Sequence, residues 1–138
     1  MARVCRDAGV VLVINDRADA ALALGCRAVH VGQKDLPPDV VRRLLGPGSE
    51  IGLSCGTQEE ADRALADPDV DLISIGPVFP TPVKPGMPAV GLDFVRRNAG
   101  RGKPLVAIGG IDASNALEVL RAGADLLAAV RAMEEWIR

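Results

Sequence analysis

Two carboxylates stand just beyond successive apolar runs: Asp16 follows Val11–Ile14, and Asp35 follows Val29–Val31. If those runs are parallel strands, both acids lie on the same carboxyl-end face. Ionised carboxylates held close repel unless a cation or proton compensates. A hard divalent ion such as Mg2+, with oxygen ligands shared between protein and a substrate diphosphate, meets that need. Each acid could equally cap a helix or join a surface ion pair. Gly109-Gly110 lies between an apolar run and a helical stretch, where backbone amides can approach an anion and a helix start adds positive dipole. A plain tight turn reads the same way. Lys84 could swing onto a phosphate as a point charge, or be an ordinary solvated lysine. His30, the only histidine, falls inside a strand-like run, which suits a hydrogen-bonded interior imidazole better than a general base. No convincing Ser-His-Asp or Cys-His set accompanies these residues.

The elements that must position them follow a repeat: a short β-branched run, a Gly- or Asp-bearing turn, then a helical stretch. The runs are Val10–Ile14, Ala28–Val31, Ile51–Ser54, Leu72–Gly76, Leu105–Gly109 and Leu126–Val130. They are apolar throughout, as expected of parallel strands covered on both faces. Thr57-Gln58-Glu59-Glu60 has the capping-box pattern, with Ala61, Ala64 and Leu65 as the apolar face of the helix it opens. Asp112 or Ser114 is expected to cap the helix carrying Ala116, Leu117 and Leu120 on one face, with Gly123 as its left-handed stop; Gly25 plays that part after Ala18–Leu24. Such alternation means right-handed βαβ units in a barrel or an open sheet. Between Pro77 and Pro88 fall five of the ten prolines. That segment cannot be helix or inner strand, and it reads as a long loop at the carboxyl end of a strand, where α/β sites are built. An inert linker is the alternative.

Composition sets the bounds. A chain of 138 residues with 49% apolar and 25% charged side chains suits one globular domain spanning 1–138, and is too apolar for disorder. A net charge of -2, dispersed Lys and Arg, and only Phe79, Phe94 and Trp136 as aromatics argue against nucleic-acid binding. Cys5, Cys26 and Cys55 have neither paired nor CxxC spacing and read as reduced thiols. No run is long enough to span a bilayer and no targeting segment is visible, so a cytoplasmic, membrane-free protein is expected.

Five ordered segments, Val13-Ile14-Asn15-Asp16-Arg17, Val29-His30-Val31-Gly32-Gln33-Lys34-Asp35, Gly52-Leu53-Ser54, Gly76-Pro77-Val78-Phe79-Pro80-Thr81-Pro82 with Lys84, and Ala107-Ile108-Gly109-Gly110-Ile111, resemble the thiamine-phosphate synthase family. They span nearly the whole chain. The resemblance implies an α/β, TIM-type (β/α)8 barrel and a transferase that joins 4-amino-2-methyl-5-(diphosphooxymethyl)pyrimidine to a thiazole phosphate, releasing diphosphate. It implies that Asp16 and Asp35 bind Mg2+, that Asn15, Ser54 and Lys84 face the pyrimidine diphosphate, and that Ser54 and Lys84 carry the catalysis. Thr81, Pro82, Val83, Gly110, Val130 and Arg131 would then hold the thiazole phosphate. Both partners are phosphorylated small molecules.

The chain also departs from the family. The usual Thr-x-Thr-Lys is Thr81-Pro82-Val83-Lys84 here, which removes a hydroxyl donor to phosphate. A Thr-His pair after the serine is Cys55-Gly56, and a serine at the end of the last strand is Arg131, which could clamp a phosphate through two donors or fill the pocket. Family barrels carry two further βα units, with a basic Gln-x-Arg-Glu-Lys segment, before the Asn-Asp strand. Here Met1–Gly9 reads as the tail of a helix, and about six βα units remain. Six strands cannot close an eight-stranded barrel, so two open edges are expected. An amino-terminal truncation, a homo-oligomer that covers the edges, and a phosphate-binding barrel without catalysis are the competing accounts. A thiazole tautomerase on the same barrel ranks behind them, since its proton transfer needs a histidine near Gly56.

Overall fold

The structure is a computed structural model that describes residues 1–132; Trp136 lies outside the described residues. Helix and strand alternate as α1 (Ala2–Asp7), β1 (Val13–Asn15), α2 (Ala18–Leu24), β2 (Ala28–Val31), α3 (Pro38–Leu45), β3 (Glu50–Cys55), α4 (Gln58–Ala66), β4 (Leu72–Ile75), α5 (Gly91–Asn98), β5 (Leu105–Ile108), α6 (Ala116–Arg121) and β6 (Leu126–Ala128). All six strands are parallel and lie side by side in chain order. This is the expected (β/α)-barrel arrangement in incomplete form: among the described residues, β1 and β6 each pair on one side only.

The two faces of the sheet differ in a way that the apolar runs conceal. Val29, Val31, Ile51, Ile73, Ile75, Leu105 and Ala107 are fully buried and pack in one core with Val41, Ala61, Ala64, Val95 and Val119 from the helices. The alternate positions, among them His30, Gly52, Ser54 and Ser74, share the opposite face of the sheet. Register places His30 beside Gly52 and Ser54 beside Ser74. The apolar face therefore holds the helices, and the other carries polar side chains into the barrel interior.

The edge strands are shorter than the runs that foretell them. Val10–Leu12 precede β1, and Ala129-Val130 follow β6. A ladder on one side only leaves half the backbone groups without a partner to fix them. Thr57 caps α4 in a complete box: its hydroxyl accepts from the Glu60 amide while the Glu60 carboxylate accepts from the Thr57 amide. The α6 expectation is corrected. Its N-cap is Asn115 and no side chain caps it; Asp112 instead accepts from the Ser114 amide and hydroxyl one turn earlier. Val119, not Leu117 or Leu120, is the buried residue of that helix.

At the amino ends of the strands, acids clamp neighbouring strands together. Asp71 Oδ2 accepts from the Ile51 amide at 2.7 Å, and Asp125 Oδ2 from the Leu105 amide at 2.8 Å. Arg42 of α3 joins the first clamp, donating to Asp71 Oδ2 at 2.7 Å and to the Asp69 carbonyl at 3.0 Å. The site is built at the other end.

Candidate active site

Asn15 ends β1, and the chain turns at once so that Asp16 adopts φ +64°, the only positive φ of a non-glycine among the described residues. Asp tolerates that left-handed conformation better than most residues. The Asp16 amide donates to the His30 carbonyl at 2.8 Å, which fixes the turn against β2. Asp35 follows β2 in a tight loop, its Oδ2 accepting from the Gly32 amide at 2.7 Å. Both acids therefore follow the carboxyl ends of neighbouring, paired strands. Burial, followed by the Asp35 charge and the contact with it, raises the Asp16 pKa, while the Asn15 amide pulls it down. The acids lie together on one rim.

Ser54 comes to the same mouth from β3. Its Oγ lies 2.8 Å from His30 Nε2, and its carbonyl accepts from Gln33 Nε2 at 2.7 Å. His30 is the hydrogen-bonded, half-buried imidazole its strand position suggests. Burial lowers its pKa and the nearby Lys84 charge adds to this, against an opposing pull from Asp16. Lys84 thus carries its charge close to the β1–β3 group although it belongs to the loop after β4.

That loop and the ends of β5 and β6 enclose a cavity of about 310 Å3. Thr81, Pro82, Val83, Lys84, Gly110, Val130 and Arg131 all line it, so every residue expected to hold the second phosphate faces one space. Arg131 is exposed and contributes to the lining. The Val83 amide donates to Thr81 Oγ1 at 3.3 Å, a turn within the loop itself. Gly109 and Gly110 have a packing reason beyond anion access. With φ of +96° and +68°, their Cβ positions would stand 2.6 Å from Pro77 Cα and 2.7 Å from Phe79 Cβ. Only glycine lets the β4 loop lie this close on β5. The helix dipole expected beside them is displaced, because the turn through Asp112 and Asn115 separates Gly110 from α6.

The nearby residues that sequence reasoning missed are Gln33, Asp112 and the Ala128-Ala129 pair, together with the contact of His30 on Ser54. All depend on strand register or loop path, which spacing does not reveal. Among the described residues no third His, Cys, Asp or Glu joins Asp16 and Asp35. Two crowded carboxylates with open coordination beyond them fit Mg2+ held jointly with substrate phosphate oxygens better than an all-protein cage. A larger hollow of about 460 Å3, lined by Cys5 and Cys26 among others, opens at the amino end of the strands, away from these groups.

The family model described as thiamine monophosphate synthase matches residues 1–133. The chain belongs to this family. It is 46% identical over 136 residues to the thiamine-phosphate synthase of Acidothermus cellulolyticus, covering 97% of this chain and 64% of that protein. It is 48% identical to that of Mycolicibacterium smegmatis, covering 96% and 59%. Among solved structures, the thiamine phosphate pyrophosphorylase of Pyrococcus furiosus superposes with a TM-score of 0.84 at 31% identity, over 97% of this chain and 67% of that one. The chain thus spans about three-fifths of the length of the curated relatives it matches. A 19% identical likeness named Native KDPGal structure, with a TM-score of 0.66, shows the fold alone. No helix among the described residues is long and apolar enough to cross a membrane, and all three cysteines are free.

Proposed function

We propose that residues 1–138 form one domain bearing the diphosphate and thiazole-phosphate subsites of a thiamine-phosphate synthase. One observation carries this reading: Asp16 and Asp35 follow the carboxyl ends of the neighbouring strands β1 and β2, at the same end of the sheet as the cavity that Lys84 borders. Proton transfer in an isomerase needs no such carboxylate pair, which favours the synthase over a tautomerase. Magnesium, when bound by the Asp16 and Asp35 carboxylates, supplies charge neutralisation for the diphosphate leaving group. Asn15 and Ser54 orient the pyrimidine diphosphate from the ends of β1 and β3. Lys84 meets the negative charge that grows on oxygen as the carbon–oxygen bond breaks, an interaction stronger in the transition state than before it. The electron-rich pyrimidine carries the cationic methylene.

In the adjoining cavity, Thr81, the backbone at Pro82 and Val83, the Gly110 amide, and Val130-Arg131 hold the thiazole phosphate, so that the thiazole nitrogen faces the methylene. Arg131 stands where a neutral donor would give one hydrogen bond, and its guanidinium offers two. The residues orient both reactants and stabilise charge, so the chemistry requires no protein nucleophile. The free thiols support a cytoplasmic setting. The sides of β1 and β6 that have no partner among the described residues support self-association of the chain.

The test is magnesium-dependent diphosphate release when both substrates are supplied. Release by the unaltered chain and its loss in Asp16→Asn are expected. No release above blank from folded protein overturns the synthase reading. Thermal stabilisation by thiazole phosphate that survives Asp16→Asn, without turnover, would then identify a phosphate-binding barrel.

A further inference from the structure

We propose that His30 is a positioning residue: its Nε2–H donates to Ser54 Oγ and turns the serine hydroxyl proton toward the diphosphate. This role rests on the function proposed above. The imidazole reaches across from β2 to β3 because Gly52, its register partner, has no side chain. A Cβ at Gly52 would stand 2.5 Å from His30 Nδ1 and 3.3 Å from Cε1. The ring therefore lies over that glycine, and its far nitrogen meets Ser54, two residues further along the same face, at 2.8 Å. A second contact from the same segment, Gln33 Nε2 to the Ser54 carbonyl at 2.7 Å, fixes the serine backbone. The His30 carbonyl in turn accepts the Asp16 amide at 2.8 Å. One residue ties the ends of three strands to a common geometry.

The polarity follows from the substrate. A phosphate oxygen can only accept, so the serine must direct its one proton there and receive its remaining hydrogen bond from the imidazole. That requires the Nε2–H form and leaves Nδ1 bare above Gly52. The reverse polarity would spend the serine's only proton on Nε2 and leave none for the phosphate.

Calorimetric titration of the full chain with Mg2+ and inorganic diphosphate tests the assignment, with each variant's fold confirmed by circular dichroism. Ser54→Ala and His30→Ala should each weaken binding by about five- to tenfold, the worth of one hydrogen bond. The double variant should bind no worse than Ser54→Ala, and His30→Gln, which keeps an N–H donor, should recover part of the loss. Long-range proton–nitrogen spectra of the chain saturated with Mg2+ and inorganic diphosphate should show the proton on Nε2. Additive losses in the double variant, unchanged binding in His30→Ala, or a proton on Nδ1 beside intact diphosphate binding each overturn the positioning role and leave the proposed function standing. Should His30→Ala not fold, equal binding by His30→Gln and His30→Leu overturns it. Failure of the unaltered chain to bind magnesium diphosphate overturns the function, and the positioning role with it.

Discussion

A methyl group on Gly52 would meet the His30 ring at 2.5 Å and Leu72 Cδ1 at 2.9 Å, whereas one on Gly76 would meet the Ile108 carbonyl oxygen at 2.3 Å. Side chains can give way and backbone cannot. Gly52→Ala is expected to cost about 1–3 kcal/mol of overpacking and to displace the imidazole from Ser54, while Gly76→Ala should reach the upper end of that range or exceed it. Urea unfolding of the two variants checks the order, and equal losses would refute it. Cys55 supplies a separate test. Burial pushes its thiol up to about 12 from an ordinary 9.0, with the Glu60 charge a smaller cause. The folded chain therefore keeps a proton that the unfolded chain sheds, so this contribution to stability is full below pH 9 and is lost as pH rises toward 12. Unfolding free energy should fall across that window, and Cys55→Ala should flatten the fall. Residue chemistry was legible in the sequence where one side chain determined it. Asp16 and Asp35 stood out because two acids at successive strand ends must conflict. The His30–Ser54 contact did not, because 24 residues separate them and only register makes them neighbours.

Elements differ in how much of their definition is local. The α4 start was readable since Thr57 and Glu60 satisfy each other's backbone within one turn. Thr57→Ala should cost about 1 kcal/mol, and Glu60→Ala in that background should cost less than it does alone, as measured by thermal or urea unfolding. The α6 start misled because Asp112, Ser114 and Asn115 are all capping types, and the turn uses the first two for its own closure. Nor could sequence show that β3 and β4 are clamped from a third element. Arg42 lies on α3, its partners Asp69 and Asp71 lie before β4, and Asp71 also takes the Ile51 amide. Arg42→Met keeps the stem's packing and removes the donors. A loss of about 1–3 kcal/mol is expected, from acceptors left half-buried without their partner. Asp71→Asn should cost less, since an amide oxygen can still accept from Ile51.

At the scale of the whole molecule, the βα alternation was enough to read a parallel barrel-type sheet, and the proline-rich loop marked the end of it that carries the candidate site, since right-handed parallel units leave few alternatives. What they leave open is how the edges behave. Val13 on β1 and Leu126 on β6 are each 52% exposed, and both strands present backbone groups on a side that has no partner among the described residues. Exposed, regular edges with apolar side chains are templates for pairing with another chain, and natural proteins blunt them with charge. The Arg17–Asp19 ion pair sits beyond the end of β1, at the start of α2, and not on the strand itself. The 138-residue chain should therefore associate as its concentration rises, with sedimentation velocity showing species above the monomer. Val13→Lys with Leu126→Lys should return it to a monomer without loss of magnesium diphosphate binding, because neither residue touches the site. A chain that stays monomeric at every concentration would show that the edges do not pair, and the case for self-association would fail with the diphosphate subsite untouched.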